Sequence, residues 1–204
     1  MIFKSKYRSV YPFILPVIVL FIFSSCSEKP EDVLAKYELN YNSHNITELL
    51  KLFDDNTEIE LGVTSIKGKD AIRSSLEYDS VLNTMITIHD ITSSENNSFF
   101  VMEQTNDLYK TVGINIVKFS MIFEIKDGKI KHIRKSSTPA TDLNISNFRK
   151  AFLLWAAKQK LDLPDEMKPG SNFNYSAENG KKYLNLIMKW KMNSETSLVP
   201  ESRK

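Results

Sequence analysis

Acidic side chains on a predicted strand are the first residues of this chain that could do chemistry. In the stretch 98–110, Glu103 and Asp107 alternate with other residues so that they share one strand face with Phe99 and Val101. A carboxyl group among apolar side chains has a raised pKa and can act as a general acid or base. The opposite face is equally apolar and carries Phe100, Met102 and Gln104. The pattern therefore leaves open which face points inward.

A second pair of acids lies on a shorter predicted strand, residues 57–62. Ile59 and Leu61 fall on one face of this strand, and Glu58 and Glu60 fall on the other. If that second face lines a pocket, Glu60 is placed to act as a general base. The same pattern is typical of a solvated strand face, and it also suits a structural ion pair. Three roles thus stay open for Glu60.

Metal, phosphate and nucleophile chemistry find no support in the sequence. His44, His89 and His132 form no metal-ligand spacing with one another or with other ligating residues. The single cysteine, Cys26, excludes an intramolecular disulfide and a multi-cysteine zinc site. Because the chain has no glycine-rich phosphate loop and no serine or cysteine nucleophile motif, we expect neither a metal nor a cofactor.

The first 26 residues resemble the signal of a bacterial lipoprotein. A basic start without acids precedes 14 uncharged residues, 10–23, which are fewer than the roughly 20 that a membrane-spanning helix needs. The segment Phe23-Ser24-Ser25-Cys26 is similar to a lipobox. The resemblance implies that residues 1–25 are removed and that Cys26 carries acyl chains, which attach the protein to a membrane.

Cleavage before Cys26 would set both the location and the charge of the mature chain. Ser27 follows the cysteine, and by the same resemblance this favours the outer membrane of the bacterial cell envelope. An uncleaved N-terminal anchor and a secreted protein with a free thiol stay open as alternatives. Removal of residues 1–25 takes away three positive charges, so that the net charge changes from +2 to −1. We therefore expect no nucleic-acid partner.

Hydrophobic periodicity and turn signals predict the elements that must position these residues. Helices are predicted at residues 31–43 and 46–53 and, after a turn at 66–72, up to about residue 78. Strands are predicted at residues 57–62, 83–93, 98–110, 114–126 and 129–137. Two later helices, 147–160 and 177–192, carry aromatic stripes that are typical of packing surfaces.

This order indicates an α+β fold, in which a curved antiparallel sheet wraps around N-terminal helices and a C-terminal helical extension follows. The predicted divisions are a signal peptide, a tether, a domain, the extension and a disordered tail: residues 1–25, 26–32, 33–138, 139–192 and 193–204.

The order of elements resembles the nuclear transport factor 2-like fold and, more narrowly, the SnoaL-like domains. The resemblance rests on Tyr37 in the first helix and on the segments 46–55, 68–72 and 127–130, and it covers about residues 30–138. It implies a cone whose open end holds a pocket. Members of this family isomerise, dehydrate or cyclise small molecules, or bind ligands or proteins, so the fold alone gives no function.

The same resemblance suggests which residues form the pocket. Steroid isomerase-like members place a tyrosine on the first helix, a carboxylate base on the first strand and a protonated acid on a later strand. Tyr37 and Glu60 stand near the first two positions, whereas Met121 stands near the third and cannot donate a hydrogen bond to an oxyanion. Glu103 is a further candidate catalytic carboxylate. The ligand pocket is expected to contain Phe119, Met121, Phe123 and Asp107.

Three functions follow as hypotheses. The first is an envelope-anchored lipoprotein whose cone binds a small apolar ligand or a protein without catalysis, because the second acid is missing. The second is an isomerase or dehydratase in which Glu60 or Glu103 acts as general base, together with Tyr37, on a small carbonyl compound. The third is a dimeric accessory subunit of an envelope complex that pairs through the outer face of the sheet.

Overall fold

The computed structural model describes residues 28–62, 64–161, 163 and 175–196. Cys26, the predicted signal peptide and most of the predicted tail lie outside these ranges, so what the sequence indicates for them stays a prediction. Within the described part of the chain, no helix combines the length and the apolar character that crossing a bilayer requires.

Three helices precede or interrupt the sheet. Helix α1 (Pro30–Asn42) begins with a proline and carries Glu31 and Asp32 in its first turn, where the helix dipole favours acids. The last three residues of the predicted tether therefore belong to α1. Helix α2 (Ile46–Leu52) is capped by the Asn45 side chain, which accepts a hydrogen bond from the Glu48 amide. Helix α3 (Lys69–Val81) extends past the predicted end at residue 78.

Six strands form one sheet in the order β2-β1-β6-β5-β4-β3. Their bounds are β1 (Phe53–Leu61), β2 (Thr64–Lys67), β3 (Met85–Ser94), β4 (Asn97–Thr105), β5 (Val117–Lys126) and β6 (Lys129–Ser137). The α+β class with a sheet around N-terminal helices is confirmed. The sheet is mixed rather than purely antiparallel, because β1 pairs with β6 in parallel while the other neighbours are antiparallel. The long crossover through α3, β3, β4 and β5 makes that parallel pairing possible.

Strand β4 ends earlier than the sequence predicts. The expected strand reached residue 110, whereas the chain leaves the sheet after Thr105 and forms helix α4 (Asp107–Thr111). The Asn106 side chain caps this helix by accepting a hydrogen bond from the Tyr109 amide over 2.8 Å. Asp107 consequently lies in the first turn of a helix and not on the strand face of Glu103.

The inner face of the sheet packs against α1. Phe100 of β4 and Phe123 of β5 are buried in this core, and Phe123 contacts the Tyr37 ring edge-on, with ring centroids 5.2 Å apart. The inner face of β4 is therefore the one that carries Phe100, Met102 and Gln104. Phe99, on the alternate face, is 42% exposed. Packing against α1 decides which of the two similar faces is inward.

Two C-terminal helices extend the domain. Helix α5 (Pro139–Lys158) begins eight residues before the predicted start, because Pro139 follows an N-cap, Thr138, whose hydroxyl accepts from the Thr141 amide. Helix α6 (Ala177–Thr196) continues beyond the predicted end at residue 192. A second buried cluster joins both helices to α3 and α4 and contains Tyr78, Leu82, Leu108, Phe148, Phe152 and Ile187.

Candidate active site

A cavity of about 670 Å³ lies between the inner face of the sheet, α1, α3 and the C-terminal helices. Its wall is largely apolar and aromatic, and it includes Tyr37, Ile72, Met102, Phe119, Phe152 and Tyr183. The two C-terminal helices contribute to the wall and leave the volume open. A volume of this size falls within the range of roughly 300–1,000 Å³ that small-molecule sites occupy.

Asp79 brings a carboxyl group into this apolar cavity. It lies in the last turn of α3, and its Oδ2 accepts a hydrogen bond from the Tyr41 hydroxyl of α1 over 2.6 Å. Burial raises the pKa of Asp79, and the Tyr41 hydrogen bond opposes part of that rise. Part of the Asp79 surface stays accessible because the side chain faces the cavity. The group can thus exchange a proton with a bound molecule.

Lys135 brings a cation to the same cavity from β6. Its Nζ lies 3.2 Å from Oε1 of Gln104 and 3.8 Å from the centroid of the Phe119 ring. Burial lowers the pKa of Lys135, and the charge of Asp79 opposes that fall. The amide oxygen and the aromatic face both favour the ammonium form. Asp79, Tyr41, Lys135 and Gln104 are called the polar end of the cavity below.

Neutral phenols surround the polar end. Burial raises the pKa of Tyr37 and Tyr41, and the charge of Asp79 raises each further. Tyr183, on the opposite wall, has its pKa raised to about 12 by burial. Each therefore remains a hydrogen-bond donor at neutral pH. The Tyr37 hydroxyl makes no hydrogen bond to another described residue, and Tyr37 lines the cavity.

The structure places the two predicted catalytic glutamates on the outer face of the sheet. Glu60 lies with its carboxylate 3.1 Å from Nε2 of His132, and its side chain is 47% exposed. Glu103 lies 2.6 Å from Nζ of Lys118, and the hydrogen bond from Lys118 lowers the pKa of this carboxyl. The prediction that either residue is a base inside the pocket is wrong, because strand alternation directs both away from α1. The ion-pair alternative fits Glu60.

The predicted pocket residues divide into two groups. Tyr37, Phe119 and Met121 line the cavity. Phe123 is fully buried behind the cavity wall, between Tyr37 and Phe100, so its role is packing. Asp107 lies on α4, and the preceding residue contributes to the wall instead. Among the described residues, no group of three or more histidine, cysteine or acidic side chains could hold a metal ion.

Sequence reasoning missed the polar end, although two signals point to it. Asp79 continues the buried stripe of α3 at the spacing Ile72, Leu76, Asp79, so a carboxyl interrupts an apolar helix face. Lys135 shares the inner face of β6 with Ile133, because strand residues two apart point to the same side. A charge within a buried stripe is the feature that could have identified each residue.

Comparisons with known proteins give similarities of fold only. No protein-family model and no curated protein matches the chain. An NTF2-like protein of unknown function from Cytophaga hutchinsonii is 12% identical, with a TM-score of 0.46 over 54% of this chain and 90% of that one. Bal32a, from a soil-derived mobile gene cassette, is 16% identical, with a TM-score of 0.48 over 56% and 93% of the two chains.

The epoxide hydrolase/cyclase-like enzyme SalBIII, from pyran ring formation in the polyether salinomycin, is also similar. It is 19% identical, with a TM-score of 0.45 over 54% of this chain and 92% of its own. At these identities and TM-scores, no activity passes from these proteins to this chain.

Proposed function

We propose that this domain binds a small, largely apolar molecule in its cone, and that Cys26 anchors the chain to the bacterial envelope. The cavity of about 670 Å³ with its polar end is the observation that carries the binding proposal. Each Å² of apolar surface that the ligand buries contributes about 25 cal/mol, while the polar groups fix its orientation.

The binding proposal is tested by what the protein retains when it is purified. We expect an organic extract of the full chain to contain an apolar small molecule, as identified by mass spectrometry. Ser75 lines the cavity from α3, so S75F fills part of the volume and removes the molecule from the extract. S74F is the matched control, because Ser74 is the neighbouring residue and is not part of the wall. Equal ligand content in both variants would contradict the proposal.

A second candidate function is catalysis by Asp79 in place of the glutamates. The observation that favours it is the burial of Asp79, since a carboxyl with a raised pKa can take a proton from carbon next to a carbonyl group. An isomerase or dehydratase loses turnover in D79N while it still binds its ligand. Pure binding is distinguished because the extracted molecule then returns unchanged after incubation with the wild-type chain.

The anchoring proposal rests on the lipobox resemblance at Cys26. Cells fed a labelled fatty acid should incorporate the label into the wild-type chain and not into C26A, which should also leave the membrane fraction. Labelling that persists in C26A would rule out the cysteine as the acylated residue. C26S, which keeps a similar size, should behave as C26A does, because only the thiol can form the thioether.

A further inference from the structure

The polar end of the cavity holds two opposite charges that do not pair with each other. Lys135 and Asp79 both line the cavity, and no ion pair joins them, although each feels the charge of the other. A gap of more than 4.0 Å, the limit for an ion pair, therefore separates the nitrogen from the carboxylate oxygens. A polar group of a ligand can lie between them.

Each charge has hydrogen-bonding capacity left for such a group. The ammonium of Lys135 has three donors, and the described residues supply one acceptor, Oε1 of Gln104, with the Phe119 ring on another side. The carboxylate of Asp79 has about four acceptor positions. The Tyr41 hydroxyl occupies one of them, and Thr84 lies near. A buried charge with unmet hydrogen bonds is costly, so a ligand that meets them is favoured.

The charges also determine the charge of the ligand. Together Lys135 and Asp79 sum to zero, so a neutral ligand leaves the apolar cavity without net charge. A ligand anion would leave an excess negative charge beside Asp79, and a ligand cation would leave an excess positive charge beside Lys135. Either excess is unfavourable in a low-dielectric cavity.

We propose that the cavity selects a neutral, largely apolar ligand whose head group presents an acceptor to Lys135 and a donor to Asp79, as a primary amide or a hydroxyketone does. This inference rests on the proposed binding function and names the chemical class of its ligand. Tyr41 orients the Asp79 carboxylate, and Gln104 orients the Lys135 ammonium. Selection of the head group thus follows from side chains on α1, α3, β4 and β6.

The experiment compares three probes of one shape: adamantane-1-carboxamide, adamantane-1-carboxylate and 1-adamantylmethylammonium. Binding to the full chain in phosphatidylcholine nanodiscs is measured by calorimetry, with empty nanodiscs subtracted. We expect the amide to bind roughly tenfold or more tightly than either ion. In K135M the remaining Asp79 should make the ammonium probe the tightest, and in D79N the remaining Lys135 should favour the carboxylate probe.

Two controls keep the result interpretable. K118M removes a lysine on the outer face, where Lys118 pairs with Glu103, and should leave the order of the probes unchanged. K135Q repeats the loss of charge with a polar side chain in case K135M fails to fold, as judged by circular dichroism. It should weaken the amide as K135M does.

The outcomes separate this inference from the binding proposal. A wild-type preference for either ion, or a probe order that K135M and D79N leave unchanged, overturns the inference. If a neutral fluorescent dye such as N-phenyl-1-naphthylamine still binds, while S75F abolishes this binding, the cavity remains a binding site of another selectivity. If neither the dye nor any probe binds, the binding proposal and the inference fall together.

Discussion

Replacement of Tyr41 by phenylalanine tests whether the polar end holds a buried carboxylate that ionises. The Tyr41 hydroxyl donates to Oδ2 of Asp79 over 2.6 Å, and Tyr41 is 7% exposed. A hydrogen bond to a charged group contributes about 1.5–3 kcal/mol, and one between neutral groups contributes about 0.5–1.5 kcal/mol. Y41F should therefore lower the free energy of unfolding by about 2 kcal/mol where Asp79 is ionised and by about 1 kcal/mol where it is protonated.

The sign of the pH dependence follows from the surroundings of Asp79. Burial raises its pKa, while the Tyr41 hydrogen bond and the charges of Lys135 and His44 lower it. Loss of the Tyr41 hydroxyl raises the pKa further, so the variant binds its proton more tightly in the folded state. The stability that Y41F loses relative to wild type thus increases as the pH rises through the pKa of Asp79.

The assay is urea unfolding followed by circular dichroism, at a series of values from about pH 4 to about pH 9. The matched control is Y37F. Tyr37 is also 7% exposed, and its hydroxyl makes no hydrogen bond to a described residue. Y37F should change the free energy of unfolding by less than about 0.5 kcal/mol, without a pH trend.

Two results would refute this reasoning. Equal losses in Y41F and Y37F would mean that the hydrogen bond to Asp79 contributes nothing beyond ring packing. A loss in Y41F that stays constant across the pH range would mean that Asp79 does not titrate as a partner of Tyr41. Combination with D79N provides a further check, since the effect of Y41F should then shrink to that of a neutral hydrogen bond.

Three further predictions concern stability and the outer face. D79N should be more stable than wild type at neutral pH, and this gain should vanish as the pH falls below the unfolded pKa of aspartate, because the raised folded pKa costs stability only above that point. G180A should lower stability by about 1 kcal/mol in urea unfolding, because a Cβ there would lie 2.6 Å from Cγ2 of Val81, and this overpacking exceeds the gain in helix propensity of about 1 kcal/mol. K181A, at an exposed neighbouring position, should show no such loss. E103Q should change stability by less than about 1 kcal/mol and leave dye binding intact, because its ion pair lies on the outer face.

Local sequence patterns identified most of the elements, and the reasons are local as well. The Asn45 cap before α2 and the alternation in β5 depend on residues that are close together in the chain. The errors lie where local signals are weak or compete. Strand β2 has four residues, too few to show alternation, and the Asn106 cap ends β4 before Asp107. Parallel pairing of β1 with β6 depends on contacts across some 70 residues, which no local pattern contains.

The sequence by itself determined the order of the elements, the lipobox resemblance at Cys26 and the two faces of each strand. Only the tertiary structure decided which face of β4 is inward, because Phe99 and Phe100 are equally apolar and α1 covers just one of them. It also brought Asp79 and Lys135 to one cavity from distant parts of the chain. Their chemistry arises from burial, which no pattern of neighbours along the chain can supply. The glutamates, which looked the more reactive in the sequence, stay solvated or ion-paired on the outer face because alternation turns them away from that cavity.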